Sequence, residues 1–316
     1  MIDAHSHLWY TQDTSWNGLP IRSLRNGRSI FLGEEVQMLP PFIIDGHNTA
    51  EVFLSSMDYA QVSAAVVVQE FIDGLQNDYL SEVARRYPDR FLVCGMADYL
   101  HPGFFEQAAR LITVDGFRGI AIPGHRLITD AGRVRLNSDE MMRLFQLMEE
   151  RDVFLSVTLA DGDLQVGELR EVIESYPRLR IAIGHLGMAS PPPQAPPSAW
   201  PDSEGWRRQM LLARHENVYI ESGGITWLYN TEFYPFPSAV RAIREAADLV
   251  GMDKLMWGSD YPRTITAITY RMSYDFILKS QSLTAEEKQL FLGDNARRFY
   301  GFRELVELPY IKNMSE

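Results

Sequence analysis

Short apolar segments alternate with amphipathic segments along most of this chain. In eight of the apolar segments the hydrophobic residues are nearly continuous, which is typical of parallel strands covered by helices. These predicted strands span residues 2–5, 64–69, 91–97, 116–122, 153–158, 180–184, 217–221 and 254–258. Helical periodicity lies between several of them, at residues 77–87, 138–151, 163–176 and 238–250. Strand and helix therefore alternate repeatedly.

Eight strand–helix repeats predict an α/β protein with a single (β/α)8 TIM-barrel domain over residues 1–316. An open, doubly wound sheet is the alternative architecture. Such a sheet would be expected to carry a glycine-rich phosphate loop after an early strand, and the sequence has none. We therefore expect a closed barrel.

Two long connections interrupt the repeat and are predicted as loops. Residues 8–48 follow the first strand, and the proline-rich residues 190–201 follow the sixth. Both leave the carboxyl ends of strands, the face where barrel enzymes keep their chemistry. Each connection is therefore a candidate lid, and a stiff spacer without substrate contact is the alternative for the proline-rich one.

Composition narrows the classes of partner. The formal net charge is −12 and no Lys/Arg-rich run occurs, which argues against nucleic acid and against an anionic membrane surface. No apolar run approaches the roughly 18 residues of a membrane span. Cys94 is the single cysteine, so a disulfide framework is excluded. The N-terminus has no secretory pattern, so we expect a cytoplasmic protein.

Candidate chemistry lies at the carboxyl ends of three predicted strands. His5 and His7 are one residue apart on the first strand, so their side chains share a face and could bind one divalent metal ion. His185 follows the sixth strand and Asp260 follows the eighth. Each of these two alone has an ordinary explanation as a helix cap or a buried polar residue. Because strands one and eight are neighbours in a closed barrel, we expect all four side chains to converge.

Four motifs make the chain resemble the amidohydrolase superfamily, in its amidohydrolase-related branch. They are IDAHSH at residues 2–7, GHLG at 184–187, WGSDYP at 257–262 and GDNARRFYG at 293–301. The set covers almost the whole chain in order. Two further segments, VVVQE at 66–70 and GFRGI at 116–120, look more like the lactonases of this branch than like its decarboxylases.

The resemblance implies hydrolysis of a lactone of a sugar acid or of a small dicarboxylic acid. Asp260 would activate water as a general base, and His185 would either bind the metal or hydrogen-bond the carbonyl oxygen as charge develops on it. The implied metal ligands are His5, His7, His185 and Asp260, with one divalent ion, Zn²⁺ or alternatively Mn²⁺. Some lactonases of this pattern are thought to work without a metal, so a metal-free version stays open.

Two other functions are open to the same sequence. A non-oxidative decarboxylase of an aromatic or muconate-like acid would carry a histidine at the end of strand five. This chain has Thr158 and Asp161 there, which weakens that alternative. A non-catalytic barrel that binds a small carboxylate is the other alternative. A carboxylate at position 260 beside a histidine pair argues against it, because a binding module needs no general base.

Predicted substrate-binding residues stand at or just after strand ends. They are His125, Gln69, Glu221 and Arg263. Arg263 is suited to a carboxylate, because a guanidinium binds one through two parallel hydrogen bonds. Lactonases often have a lysine where this chain has Glu221. The expected partner is a small-molecule substrate, and the resemblance also implies a homodimer.

Overall fold

The computed structural model describes residues 1–130, 132–160, 164–188, 204–312 and 314. Eight parallel strands form one sheet in chain order, as predicted. They are Ile2–Ser6, Ala64–Val67, Phe91–Gly95, Gly119–Ile122, Phe154–Val157, Ile181–Ile183, Val218–Glu221 and Leu255–Met256. Each lies within or within one residue of its predicted range. We call them the first to the eighth barrel strands.

Backbone hydrogen bonds close the sheet between its first strand and the chain that leaves its eighth. The amide of Ala4 donates to the carbonyl of Trp257 at 2.9 Å, and the amide of Asp260 donates to the carbonyl of His5 at 2.9 Å. The amide of His7 donates to the carbonyl of Tyr261 at 2.7 Å. The closed (β/α)8 barrel is confirmed, and its closure seam runs directly past the predicted chemical residues.

Helices surround the barrel in the described ranges. They are Ala50–Tyr59, Asn77–Arg86, Phe104–Thr113, Asp139–Glu150, Val166–Ser175, Glu204–Leu211, Ile225–Leu228, Pro237–Val250, Met272–Lys279, Ala285–Gln289 and Asn295–Tyr300. Their apolar faces pack on the sheet and bury large side chains such as Phe53, Phe145 and Phe276. None of these helices combines the length and the apolar character needed to cross a lipid bilayer.

The prediction of a loop over residues 8–48 is wrong. This segment, which we call the insert, contains a four-stranded antiparallel sheet of consecutive hairpins, at Asp13–Trp16, Leu19–Ser23, Arg28–Phe31 and Glu34–Gln37. Asn17-Gly18 forms the first turn with both φ angles positive, as a type I′ hairpin turn requires. The strands are short and most of their residues are polar or exposed, so no apolar run marks them. The other predicted loop, at 190–201, lies outside the described residues.

Gly119, in the fourth barrel strand, is required by close packing. A Cβ atom there would lie 2.2 Å from Cζ of Phe154 on the neighbouring strand. Gly119→Ala is expected to lower the free energy of unfolding by about 1–3 kcal/mol, because the core must shift to admit the methyl group. Urea denaturation measures this change.

The matched control is Gly167→Ala. Gly167 lies on the exposed face of the helix Val166–Ser175, and a Cβ atom there meets no atom within 4 Å. Alanine suits a helix better than glycine, so this variant should be as stable as the wild type or slightly more stable. Equal urea midpoints for the two variants would contradict the packing argument.

Candidate active site

Two imidazoles and a carboxylate meet at the carboxyl end of the barrel. Nε2 of His5 lies 3.1 Å from Nε2 of His7, and Oδ1 of Asp260 lies 3.2 Å from Nε2 of His7 and 3.5 Å from Nε2 of His5. All three residues are buried. Each offers one ligand atom, and these atoms lie within 4.8 Å of one another.

Two further carboxylates orient the histidine pair from behind. Nδ1 of His5 hydrogen-bonds Oε1 of Glu221 at 2.8 Å, and Nδ1 of His7 hydrogen-bonds Oδ2 of Asp73 at 2.8 Å. The proton of each neutral ring therefore sits on Nδ1, and both Nε2 lone pairs face Asp260. Metal-ligating histidines commonly donate their other N–H to a carboxylate in this way.

This donor set fits a divalent cation. Two lone pairs and an anionic oxygen within 3.5 Å of each other repel unless a positive charge lies between them. Burial alone would lower the pKa of both imidazoles, but Glu221 raises the pKa of His5 and Asp73 raises that of His7. Burial works to raise the pKa of Asp260, but the surrounding histidines hold it well below its usual value. The group therefore attracts positive charge.

His185 stands beside this group. Residues 185–188 all have positive φ angles, so a left-handed turn follows the sixth barrel strand and aims the His185 ring at His5, with centroids 4.6 Å apart. Its Nδ1 hydrogen-bonds the carbonyl of Gly223 at 2.8 Å. Burial, together with the charge of His5, lowers the pKa of His185. The ring is therefore neutral with Nε2 as its acceptor atom, adjacent to the three-atom group rather than part of it.

The barrel closure fixes the geometry of the group through Asp3. Its buried carboxylate accepts hydrogen bonds from the amide of Ser259 at 2.8 Å, the hydroxyl of Tyr270 at 2.8 Å and the amide of His5 at 3.2 Å. Burial raises the pKa of Asp3 to about 6. These bonds tie the first barrel strand, which positions His5 and the adjoining His7, to the segment that carries Asp260.

A cavity of about 180 Å³ opens above the group. The insert contributes Trp9 and Met38 to its wall, and Thr158 at the end of the fifth barrel strand also lines it. The indole N–H of Trp16, also in the insert, donates to the carbonyl of Arg126 at 3.2 Å. The insert therefore forms part of the cavity wall.

The structure brings three of the four predicted substrate-binding residues to the cavity wall. Gln69, His125 and Arg263 line it. The Gln69 amide is already engaged, since Nε2 donates to the carbonyl of Cys94 at 2.8 Å and Oε1 accepts from the amide of Gln76 at 2.8 Å. Burial lowers the pKa of His125 to about 4, which leaves its ring neutral.

Glu221 lies beneath His5 and not on the cavity wall, in contrast to the prediction that it contacts substrate. Its carboxylate accepts hydrogen bonds from His5 and from the amides of His185 and Gly223. Burial would raise the pKa of Glu221, but the neighbouring His5 lowers it. Glu221 therefore contacts His5 and the backbone beneath it, and not the cavity.

Sequence reasoning missed two residues of the site. Asp73 lies in the short 3₁₀ turn Phe71–Asp73, and Trp227 donates its indole N–H to Oδ2 of Asp260. Both residues lie in connections that follow barrel strands, and these connections have no hydrophobic periodicity from which a residue's position could be predicted. The one available signal was their position within a few residues of a strand end.

Asp73→Ala is expected to weaken the affinity for Zn²⁺ roughly 10- to 100-fold, because His7 loses the acceptor that fixes its ring. Competition with a chromophoric chelator measures the dissociation constant. Asp248→Ala is the control, because Asp248 pairs with Arg244 on an exposed helix face. An unchanged affinity in the Asp73 variant would show that this carboxylate does not orient a ligand.

Comparison with known proteins identifies the family. The model of the Amidohydrolase family matches residues 2–302, so the chain belongs to this family, as its motifs predict. A curated relative, the L-fucono-1,5-lactonase of Burkholderia ambifaria, is 29% identical over 271 residues, which cover 83% of this chain and 80% of the relative. The prediction of an enzyme of the metal-dependent hydrolase class is thereby confirmed.

Solved structures share the fold. A probable 2-pyrone-4,6-dicarboxylic acid hydrolase from Acinetobacter baumannii, with citric acid bound, superposes with a TM-score of 0.68 at 20% identity over 95% of this chain and 99% of that chain. An amidohydrolase from Burkholderia multivorans with bound zinc gives a TM-score of 0.66 at 20% identity over 95% and 98%. At these identities the likeness concerns the barrel.

Proposed function

We propose that this protein hydrolyses a lactone of a sugar acid or of a small dicarboxylic acid. The observation that carries the proposal is the convergence of His5, His7 and Asp260 at the floor of one cavity. The name of the lactonase relative and that of the pyrone hydrolase both describe hydrolysis of a cyclic ester, which supports the same chemistry here.

Asp260 is the proposed general base. Its low pKa keeps the carboxylate ionised at neutral pH. The carboxylate takes a proton from the attacking water while the water oxygen bonds to the ester carbonyl carbon. The bond between that carbon and the ring oxygen then breaks, and Asp260 returns the proton to the leaving oxygen. The product is the open-chain hydroxy acid.

The chain's own residues also define the proposed metal site. His5, His7 and Asp260 would hold one divalent ion, and His185 would complete the set through Nε2. We propose Zn²⁺, with Mn²⁺ as the alternative, because imidazole and carboxylate donors suit both ions. When bound, the ion would supply Lewis-acid polarisation of the ester carbonyl. In a metal-free version protonated His5 and His7, whose pKa values are raised, would polarise the carbonyl by donating from Nε2.

The remaining residues have proposed binding or positioning roles. His125 faces the substrate as a neutral hydrogen-bonding group. The side-chain amide of Gln69 shapes the wall through its hydrogen bonds to the backbone of Cys94 and Gln76, and Glu221 sets the orientation of His5. Thr158 stands where a decarboxylase of this family would carry a histidine, which favours hydrolysis over decarboxylation.

A panel of sugar-acid lactones and pyrone dicarboxylates, followed with a pH indicator, tests the proposal. Hydrolysis of at least one lactone with release of one proton per turnover is the expected result. Release of carbon dioxide from an aromatic acid, without hydrolysis of any lactone, would show that the enzyme is a decarboxylase. Binding of a small carboxylate without any turnover would favour the non-catalytic alternative.

We further propose a cytoplasmic, single-domain enzyme that acts as a homodimer on a small molecule, without a nucleic-acid or membrane partner. The formal charge of −12 supports the proposal that neither nucleic acid nor an anionic membrane surface is a partner. Light scattering coupled to size-exclusion chromatography measures the oligomeric state.

A further inference from the structure

Arg263 brings a positive charge to the cavity, and no carboxylate in the described part of the chain forms an ion pair with it. Among the described residues, its contact is with the ring of Trp227, whose centroid lies 3.7 Å from the guanidinium carbon. Arg126 also lines the cavity, but it is neutralised by Glu70, with Nε 2.9 Å from Oε1 and Nη2 3.4 Å from Oε2. The two arginines of the wall are therefore not equivalent.

Trp227 connects Arg263 to the reacting end of the cavity. The face of the indole supports the guanidinium, while its N–H donates to Oδ2 of Asp260. A guanidinium held over a ring face keeps its N–H groups in its own plane, where they are available to a ligand. The same indole thus fixes the arginine and the proposed general base relative to each other.

We propose that Arg263, supported by Trp227, binds a carboxylate of the substrate, so that the substrate is a lactone bearing a second, ionised acid group. This inference rests on the proposed lactone hydrolysis. A carboxylate at this position forms charge-assisted hydrogen bonds to the guanidinium fork. Its lactone carbonyl then lies on the side of Trp227 where Asp260 is held. A neutral sugar lactone offers the guanidinium no charge partner.

Matched pairs of lactones test this subsite. Glucono-1,4-lactone and glucaro-1,4-lactone differ only in a terminal hydroxymethyl group against a carboxylate, and other aldono- and aldarolactones provide further pairs. The wild type is expected to show a higher kcat/KM for the anionic member, by roughly 10-fold or more. In Arg263→Gln this ratio should fall by roughly 10- to 100-fold, mainly through KM, because a charge-assisted contact is lost.

Two further variants separate a binding role from a structural one. Arg263→Lys keeps the charge but loses the planar fork, so its ratio should lie between those of the wild type and Arg263→Gln. Arg143→Gln is the matched control, because Arg143 also stacks on an aromatic ring, that of Phe105, away from the cavity. It should leave both rates unchanged.

The outcomes distinguish this inference from the proposed function. Hydrolysis of both members of each pair with equal efficiency would overturn the carboxylate subsite and leave lactone hydrolysis standing. An equal loss for both members in Arg263→Gln would do the same. Failure of the wild type to hydrolyse any lactone, neutral or anionic, would overturn both.

Discussion

Asp260→Asn is expected to lower kcat by about 10³-fold or more, because removal of a general base costs roughly 10²–10⁴-fold and the same carboxylate also completes the metal site. Asparagine has the same shape and tolerates the left-handed backbone of this position, where φ is 57°. Its carbonyl oxygen can still accept the indole N–H of Trp227. The fold should therefore be retained while the proton acceptor is lost. Steady-state kinetics on the best lactone of the panel, with circular dichroism and thermal unfolding, measures both properties.

Asp152→Asn is a closely matched control. Asp152 also has a left-handed backbone, with φ of 53°, but it precedes the fifth barrel strand and pairs with Arg180 at the opposite end of the barrel. The same chemical change in the same backbone conformation should leave kcat unaltered. If the Asp260 variant turned over lactone at a rate comparable to that of this control, Asp260 would not be the base.

The barrel was predictable because burial on both faces leaves a direct mark in the sequence. A strand with helices on its outer face and the barrel interior on its inner face is mostly apolar, as in the segment 64–68. Eight runs of this kind predicted eight strand–helix repeats. The insert was not predictable by the same rule. Its strands alternate in burial and are largely exposed, so only turn chemistry such as Asn17-Gly18 marked them.

Sequence reasoning located the central residues of the site through topology. His5 lies in the first barrel strand and His7 directly follows it, and the closure of strand eight on strand one brings Asp260 to them. Asp73 and Trp227 could not be found this way. Their positions depend on the path of irregular connections after the second and seventh strands, which no periodic pattern determines.

Removal of a divalent ion is expected to lower kcat roughly 10³-fold and to lower the melting temperature. The rate falls because carbonyl polarisation is lost, which is worth several kcal/mol in metal hydrolases. Stability would fall because the facing Nε2 lone pairs of His5 and His7, whose atoms lie 3.1 Å apart, would no longer be neutralised by a cation. Dialysis against a chelator, elemental analysis and calorimetry measure these effects, and Zn²⁺ or Mn²⁺ added singly should restore them.

His5→Ala provides the corresponding variant, and His101→Ala is its control. His101 is an exposed loop histidine away from the cavity, so its variant should retain the metal content and rate of the wild type. His5→Ala should retain little metal and little activity even at added Zn²⁺ concentrations that saturate the wild type.

Full activity of a chelated wild type without measurable metal would instead favour polarisation of the carbonyl by protonated imidazoles. The raised pKa values of His5 and His7 would then be the property that makes such a site work at neutral pH.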